Sequence, residues 1–136
     1  MSMIDALAII REYLRQRPKT SALIGNRVWA GRTYPPSGYK PSLGPAICFQ
    51  LRSGELTYEN DHYWASVQFK LYGETEVDAN DLFVALINDT LPSSSVSASI
   101  RHVELESGQM TMEEPDSEWI YALCYMRFMI RIPGGI

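Results

Sequence analysis

The chain has 136 residues, of which 46% are hydrophobic and 21% charged, and its formal net charge is −4 at pH 7. This composition excludes a disordered, collagen-like or coiled-coil protein, and the length predicts a single domain spanning residues 1–136. No apolar run is long enough to cross a membrane, and the N-terminal stretch carries the acidic Asp5. We therefore expect no export signal and no membrane partner. Because the chain has two cysteines and no CxxC motif, we also expect a reducing cytoplasm as the place of synthesis.

Charge is distributed unevenly along the chain. Residues 1–32 carry six basic and two acidic side chains, whereas residues 53–118 carry fourteen acidic and two basic ones. A net acidic chain argues against a protein that binds nucleic acid by neutralising phosphates. The small net charge thus conceals a basic first stretch and an acidic middle.

Two segments have the pattern of amphipathic helices. The first begins at Ser2 and Asp5, which have the spacing of a capping box, and it ends before Pro18. The second begins at Thr75 and Asp78, with the same spacing, and continues to about Leu91. A short turn at residues 21–24 is a further possibility.

Four segments have the pattern of strands. Apolar and polar residues alternate over residues 46–52 and 63–72, with a polar connection at 53–62 as the tip of a hairpin. Residues 100–106 predict a third strand and residues 118–132 a fourth. These elements predict an α+β fold, an antiparallel sheet of about four strands packed by two helices, with long loops.

The last strand has two apolar faces. Its even positions are all apolar, and its odd positions include Trp119, Tyr121 and Tyr125. A sheet with helices on one side needs only one apolar face, so the second face predicts a further covering surface. At about 3.3 Å per residue this segment would exceed the usual strand length, so either it bends or part of it pairs outside its own subunit.

Residues 31–45 form a long segment rich in proline and glycine, with Tyr34 and Tyr39 among them. Long loops within compact domains are usually functional or disordered. This segment is therefore either a contact surface or a solvated connection.

The sequence offers few groups for catalysis or metal binding. Each of the two histidines has an acidic neighbour, giving the pairs Asp61 with His62 and His102 with Glu104. Cys48 and Cys124 fall on strand positions that predict opposite faces, which argues against a disulfide or a catalytic pair.

The acidic run at 113–118 lacks the pattern of a calcium loop and is interpreted as a solvated turn. We expect no catalytic residue, no metal and no cofactor. Two alternatives stay open, a small acid/base enzyme and a domain that binds a small molecule.

The order of elements resembles the tail-completion, or tail-terminator, proteins of long-tailed bacteriophages. The resemblance covers nearly the whole chain and rests on LIGNRVWAG at 23–31, PAICFQ at 45–50 and a helix of the type DLFVALINDTL. Gly25, Arg27, Val28, Trp29, Pro45 and Ile47 are the matching positions.

This resemblance implies a non-enzymatic protein that forms a ring, typically a hexamer, at the head-proximal end of the tail. The expected partners are further copies of the chain, the tail-tube protein and a neck or connector protein on the head side, with genomic DNA passing through the lumen without specific binding. A neck adaptor on the head side and a tail-tube subunit are sister interpretations. The expected location is the tail or neck of the virion, after assembly in the host cytoplasm.

A ring needs two different patches on each subunit, and the aromatic second face and the segregated charge supply candidates for both. The candidate interface residues are Arg27, Trp29, Tyr34, Tyr39, Glu55, Glu59, Trp119, Tyr121, Tyr125 and Arg127.

Overall fold

A computed structural model describes residues 5–57, 61–92 and 96–132. Within these ranges three α-helices pack on a sheet of five strands, which confirms the α+β prediction. The helices are α1 (Ala6–Arg15), α2 (Pro18–Ile24) and α3 (Glu76–Thr90). The strands are β1 (Val28–Ala30), β2 (Ala46–Leu56), β3 (His62–Gly73), β4 (Ile100–Glu113) and β5 (Ile120–Arg131), in the spatial order β1-β2-β3-β5-β4.

The sheet is mixed, because β1 pairs with β2 in parallel while the other pairs are antiparallel. β1 has three residues, too few for an alternating pattern to be recognised, so the sequence predicted one strand fewer. β4 extends to Glu113, well beyond the predicted residue 106. Register shifts interrupt β4 at three points, and they explain why its alternation is hard to follow.

β5 lies inside the sheet and pairs over its whole length within its own chain. Its partner on one side is β3, from Gly73↔Ile120 to His62↔Arg131, and on the other side it pairs with β4. The hypothesis that part of this strand pairs outside its own subunit is therefore wrong for Ile120–Arg131.

The helix starts follow local capping. The Thr75 hydroxyl accepts a hydrogen bond from the Asp78 amide at 3.2 Å, as the sequence predicted. For α1 the N-cap is Asp5, whose carboxylate accepts from the Ala8 amide at 3.0 Å. This corrects the assignment of Asp5 to the fourth position of a capping box, and Ser2 lies outside the described residues.

The two faces of the sheet differ. One face, which we call the core face, packs against all three helices and carries the main hydrophobic core. Its buried strand residues include Ile47, Phe49, Val67, Phe69, Leu71, Cys124, Met126 and Phe128. The opposite face, which we call the outer face, carries a second and smaller cluster built around Tyr72 and Tyr121. The second apolar face inferred from β5 thus exists.

Candidate interaction surfaces

One half of the outer face is covered by residues 31–45, which we call the proline-rich loop. Tyr39 of this loop is buried, and its ring makes edge contacts with Trp29, Trp119 and Tyr72 at centroid distances of 5.4, 5.7 and 6.4 Å. Its hydroxyl donates to the Gly44 carbonyl oxygen at 2.6 Å, and burial raises the pKa of Tyr39 to about 12. The loop is therefore packed against the sheet by aromatic contacts.

A buried ion pair lies beneath this loop. Lys70 and Glu114 are in direct contact, with side-chain exposures of 9% and 8%. The Lys70 ammonium also donates to the Thr33 carbonyl oxygen at 2.8 Å, and the Tyr72 hydroxyl donates to Glu114 at 2.6 Å. Burial and this hydrogen bond raise the pKa of Tyr72. Glu114 therefore corrects the interpretation of the acidic run as a solvated turn, because it pairs with a lysine of β3.

Arg27 fastens the proline-rich loop to α2. Its Nε donates to the Pro45 carbonyl oxygen and its Nη2 to the Leu23 carbonyl oxygen, both at 2.9 Å. Its guanidinium group also lies against Gly44, where a Cβ would collide with it. The two sequence segments that carry the family resemblance, 23–31 and 45–50, are thus joined by one side chain.

A groove of about 380 Å³ opens between the proline-rich loop and the turn from β4 to β5. Tyr34, which is 57% exposed, and Trp119 both line it, and Glu114 and Asp116 supply its carboxylates. The groove is the exposed margin of the aromatic cluster under the loop.

The other half of the outer face has no loop over it among the described residues, and we call it the open half. Two arginines lie over aromatic rings there, Arg52 at 4.4 Å from the centroid of Tyr125 and Arg127 at 4.0 Å from that of Trp64. Arg127 also forms an ion pair with Glu104 at 3.5 Å. These contacts hold long side chains in fixed positions on a half-exposed sheet surface.

A polar groove of about 400 Å³ crosses the open half. At its floor the Ser66 hydroxyl donates to Glu106 Oε1 at 2.5 Å. The lining residues are Ser53, Gly54, Glu55, Trp64, Ser66, Glu106 and Arg127.

Two of the candidate interface residues are described above, since Arg27 fastens the proline-rich loop and Tyr34 lines the groove beside it. The others within the described residues separate into two groups. Trp29, Tyr39, Trp119 and Tyr121 join the cluster under the loop, while Glu55, Tyr125 and Arg127 lie on the open half. Glu59 lies outside the described residues. Lys70, Glu114, Arg52 and Trp64 were not predicted as interface residues. For Trp64 a signal existed, because it is a large aromatic residue on the polar side of the alternation in residues 63–72.

Each histidine contacts an acidic residue close to it in the chain, and the ring of His102 also makes an edge contact with the ring of Trp64 at a centroid distance of 6.1 Å. His62 Nδ1 lies 3.1 Å from Asp61 Oδ1, and His102 Nε2 lies 3.4 Å from Glu104 Oε2. The hydrogen bond from His62 helps to lower the pKa of Asp61. In each case the two residues are near neighbours in the chain. Each pair is also partly exposed to solvent.

The two cysteines are buried on opposite faces, Cys124 in the main core and Cys48 in the outer cluster, as the sequence predicted. Burial raises the pKa of both thiols to about 12. Thiols with so little thiolate at neutral pH are poor nucleophiles.

Within residues 5–57, 61–92 and 96–132, no group of three or more histidine, cysteine, aspartate or glutamate side chains is arranged to hold a metal ion. None of the helices in these ranges is both long enough and apolar enough to span a membrane.

The fold is similar to that of a known structure. A chain from the virion of a native gene transfer agent (GTA) particle superposes with a TM-score of 0.60 at 12% sequence identity. The match covers 95% of this chain and 100% of that chain. No protein-family model and no curated protein sequence matches.

Proposed function

We propose that this protein is a structural component of a phage-like virion and has no catalytic role. The observation that carries the proposal is the fold similarity to a chain of a gene transfer agent virion, because it extends over nearly the full length of both chains. The match covers 95% of this chain and 100% of that chain, so it involves the whole fold and not a single shared motif. The partners are accordingly other virion proteins.

Within the virion we propose a hexameric ring at the head-proximal end of the tail. The ring ends growth of the tail tube and joins the tail to the head-side neck or connector. The resemblance of residues 23–31 and 45–50 to tail terminators supports this position, and the net acidic chain suits a lumen through which DNA passes without binding. Tyr34 and Trp119, at the margin of the covered half, and Glu55, Tyr125 and Arg127, on the open half, are the proposed contact residues.

Imaging and light scattering of the purified protein test this proposal. We expect a species of six chains and a closed ring, or single chains that form a ring on the end of a preformed tail tube. Only single chains, with tubes present and uncapped, would contradict it.

The sister roles give different results in the same experiment. A tube subunit would polymerise into long tubes when purified alone. A neck adaptor would bind the connector of the head and leave tube length unchanged.

A further inference from the structure

Each side of the sheet ends in a strand edge that the described part of the chain leaves without a partner strand. β4 is the last strand on one side. On the other side β1 pairs only with Ile47–Phe49, so β2 has no strand beside it beyond Phe49. Residues 51–56 of β2 are all exposed. Unpaired edges of this kind are templates for pairing with another chain.

The strand directions allow two copies to join at these edges. β2 is antiparallel to β3, β3 to β5 and β5 to β4, so β2 and β4 run in opposite directions. When a second copy stands beside the first in the same orientation, its β2 is antiparallel to β4. The sheet then continues without either copy being turned over. Such a contact uses two different patches, and repeated contacts of this type close into a ring when the rotation fits.

The register defines which residues stand at the same level on the two edges. Glu55 pairs with Trp64, Trp64 with Met129, and Met129 with His102, so Glu55 and His102 end one transverse row of the sheet. By the same reasoning a second row ends in Leu51 and Leu105.

The ends of these rows are chemically complementary. Leu51 lies on the core face and is 39% exposed, although the other residues of its row in the sheet are apolar. In the assembly it would meet Leu105 of the second copy, which is half-buried. On the outer face, the Glu55 carboxylate would meet the His102 imidazole. Arg52, whose guanidinium group lies on this face, would fall between Glu104 and Glu106. Opposite charges and paired apolar side chains across neighbouring strands stabilise a sheet.

We propose that residues 51–55 of β2 pair with residues 102–105 of β4 in a second copy, with the bulge at residue 52 accommodating the extra residue of β2, so that the sheets of neighbouring subunits form one continuous sheet. This proposal rests on the ring proposed above and identifies the contact that builds it. Register shifts in β4 on both sides of residues 102–105 confine regular pairing to this short stretch. The rest of the β4 edge is thereby kept from open-ended association.

A disulfide test uses the double variant Glu55→Cys/His102→Cys. The natural thiols, Cys48 and Cys124, are buried and give no background. Directly opposed residues in an antiparallel pair have their Cβ atoms close enough for a disulfide to form with small adjustments. Under mild oxidation we expect a ladder of linked chains on a non-reducing gel, extending to the number of chains in the ring.

The matched control is Glu55→Cys/Glu113→Cys, because Glu113 is exposed at the far end of β4. It should give no ladder, and a ladder there would overturn the proposed register. Light scattering on the same samples separates the two proposals. A ring without a ladder would overturn this interface alone, whereas single chains throughout would overturn the ring as well. Linked dimers from Glu55→Cys alone would show pairing of β2 with β2 and overturn the head-to-tail contact.

Discussion

At the scale of single residues, Lys70 and Glu114 form the buried ion pair beneath the proline-rich loop. Their contact joins β3 to the turn after β4, and the Lys70 ammonium also binds the proline-rich loop at Thr33. A buried charge whose partner is removed is left without compensation, and its desolvation is then unopposed. These two side chains therefore hold three segments of the chain together.

We predict that Glu114→Gln lowers the free energy of unfolding by about 3–5 kcal/mol, because it leaves the Lys70 ammonium buried without an anion. Urea denaturation measures the change. The same variant should speed protease cleavage within residues 31–45, since the anchor for Thr33 is weakened.

The neighbouring Glu113→Gln serves as control, because Glu113 is exposed. It should change stability by no more than about 0.5 kcal/mol. Equal effects of the two substitutions would show that the Lys70–Glu114 contact contributes nothing.

The sequence could not reveal this pair. Glu114 stands in a run of acidic residues, and such a run is usually a solvated surface. Its partner is 44 positions away, and only the pairing of β3, β5 and β4 brings the two together. Arg52 was missed for the same reason, since its contact is with the ring of Tyr125 on another strand.

At the scale of elements, the junction between β3 and α3 depends on Gly73. A Cβ at this position would collide with the backbone nitrogen of Ala79 and with Asp78 in the first turn of α3. Backbone atoms of a capped helix cannot move aside as the end of a flexible side chain can. The strand and the helix thus approach more closely than any residue with a side chain allows.

We predict that Gly73→Ala destabilises the protein by about 1–3 kcal/mol through this overpacking. Thermal and urea unfolding both measure it. Gly108→Ala is the matched control, since a Cβ there meets no atom within 4 Å. A loss of stability in the control but not at position 73 would contradict the argument.

Elements with strong local signals were predicted well. α3 and β3 were correct within about two residues, because a capping threonine and a regular alternation are both local features of the sequence. α2 was only a possible turn. Its N-terminal amide at Thr20 is capped by the Asp89 carboxylate at 2.6 Å, from the distant end of α3. β1 was missed because its strand character comes from its neighbour β2.

At the scale of the whole molecule, the burial of weakly acidic groups makes the free energy of unfolding fall at alkaline pH. Burial raises the pKa of Cys48, Cys124 and Tyr39 to about 12, above the ordinary values of 9.0 for a thiol and 10.0 for a phenol. The folded protein therefore keeps protons that the unfolded chain releases. The stabilisation is fully present below the ordinary thiol pKa and is lost as the pH rises towards 12.

We predict that the free energy of unfolding is level between pH 7 and pH 8 and falls above about pH 9, by about 1 kcal/mol per pH unit for each buried thiol. Urea midpoints at pH 7, 9 and 10 measure this. The double variant Cys48→Ala/Cys124→Ala should show a shallower fall. A midpoint that rises with pH in this range would contradict the prediction.

The outer face of the sheet was predicted from the sequence, but the segment that covers it was not. The two apolar faces of β5 correctly predicted a second covering surface. Periodicity cannot say which segment supplies it, and for one half the cover is the chain's own proline-rich loop, through Tyr39. For the other half, residues such as Trp64 and Arg127 remain on the surface, where assembly with a second chain is proposed.

The position of β5 also bears on how the protein is made. β5 lies between β3 and β4, and its pairs with β3 join residues as far apart as His62 and Arg131. While a ribosome is still synthesising this strand, β3 and β4 each have an open edge and the sheet exists only in separate parts. Contacts over such distances form slowly and late. A nascent chain thus acquires a complete sheet only after β5 has left the exit tunnel.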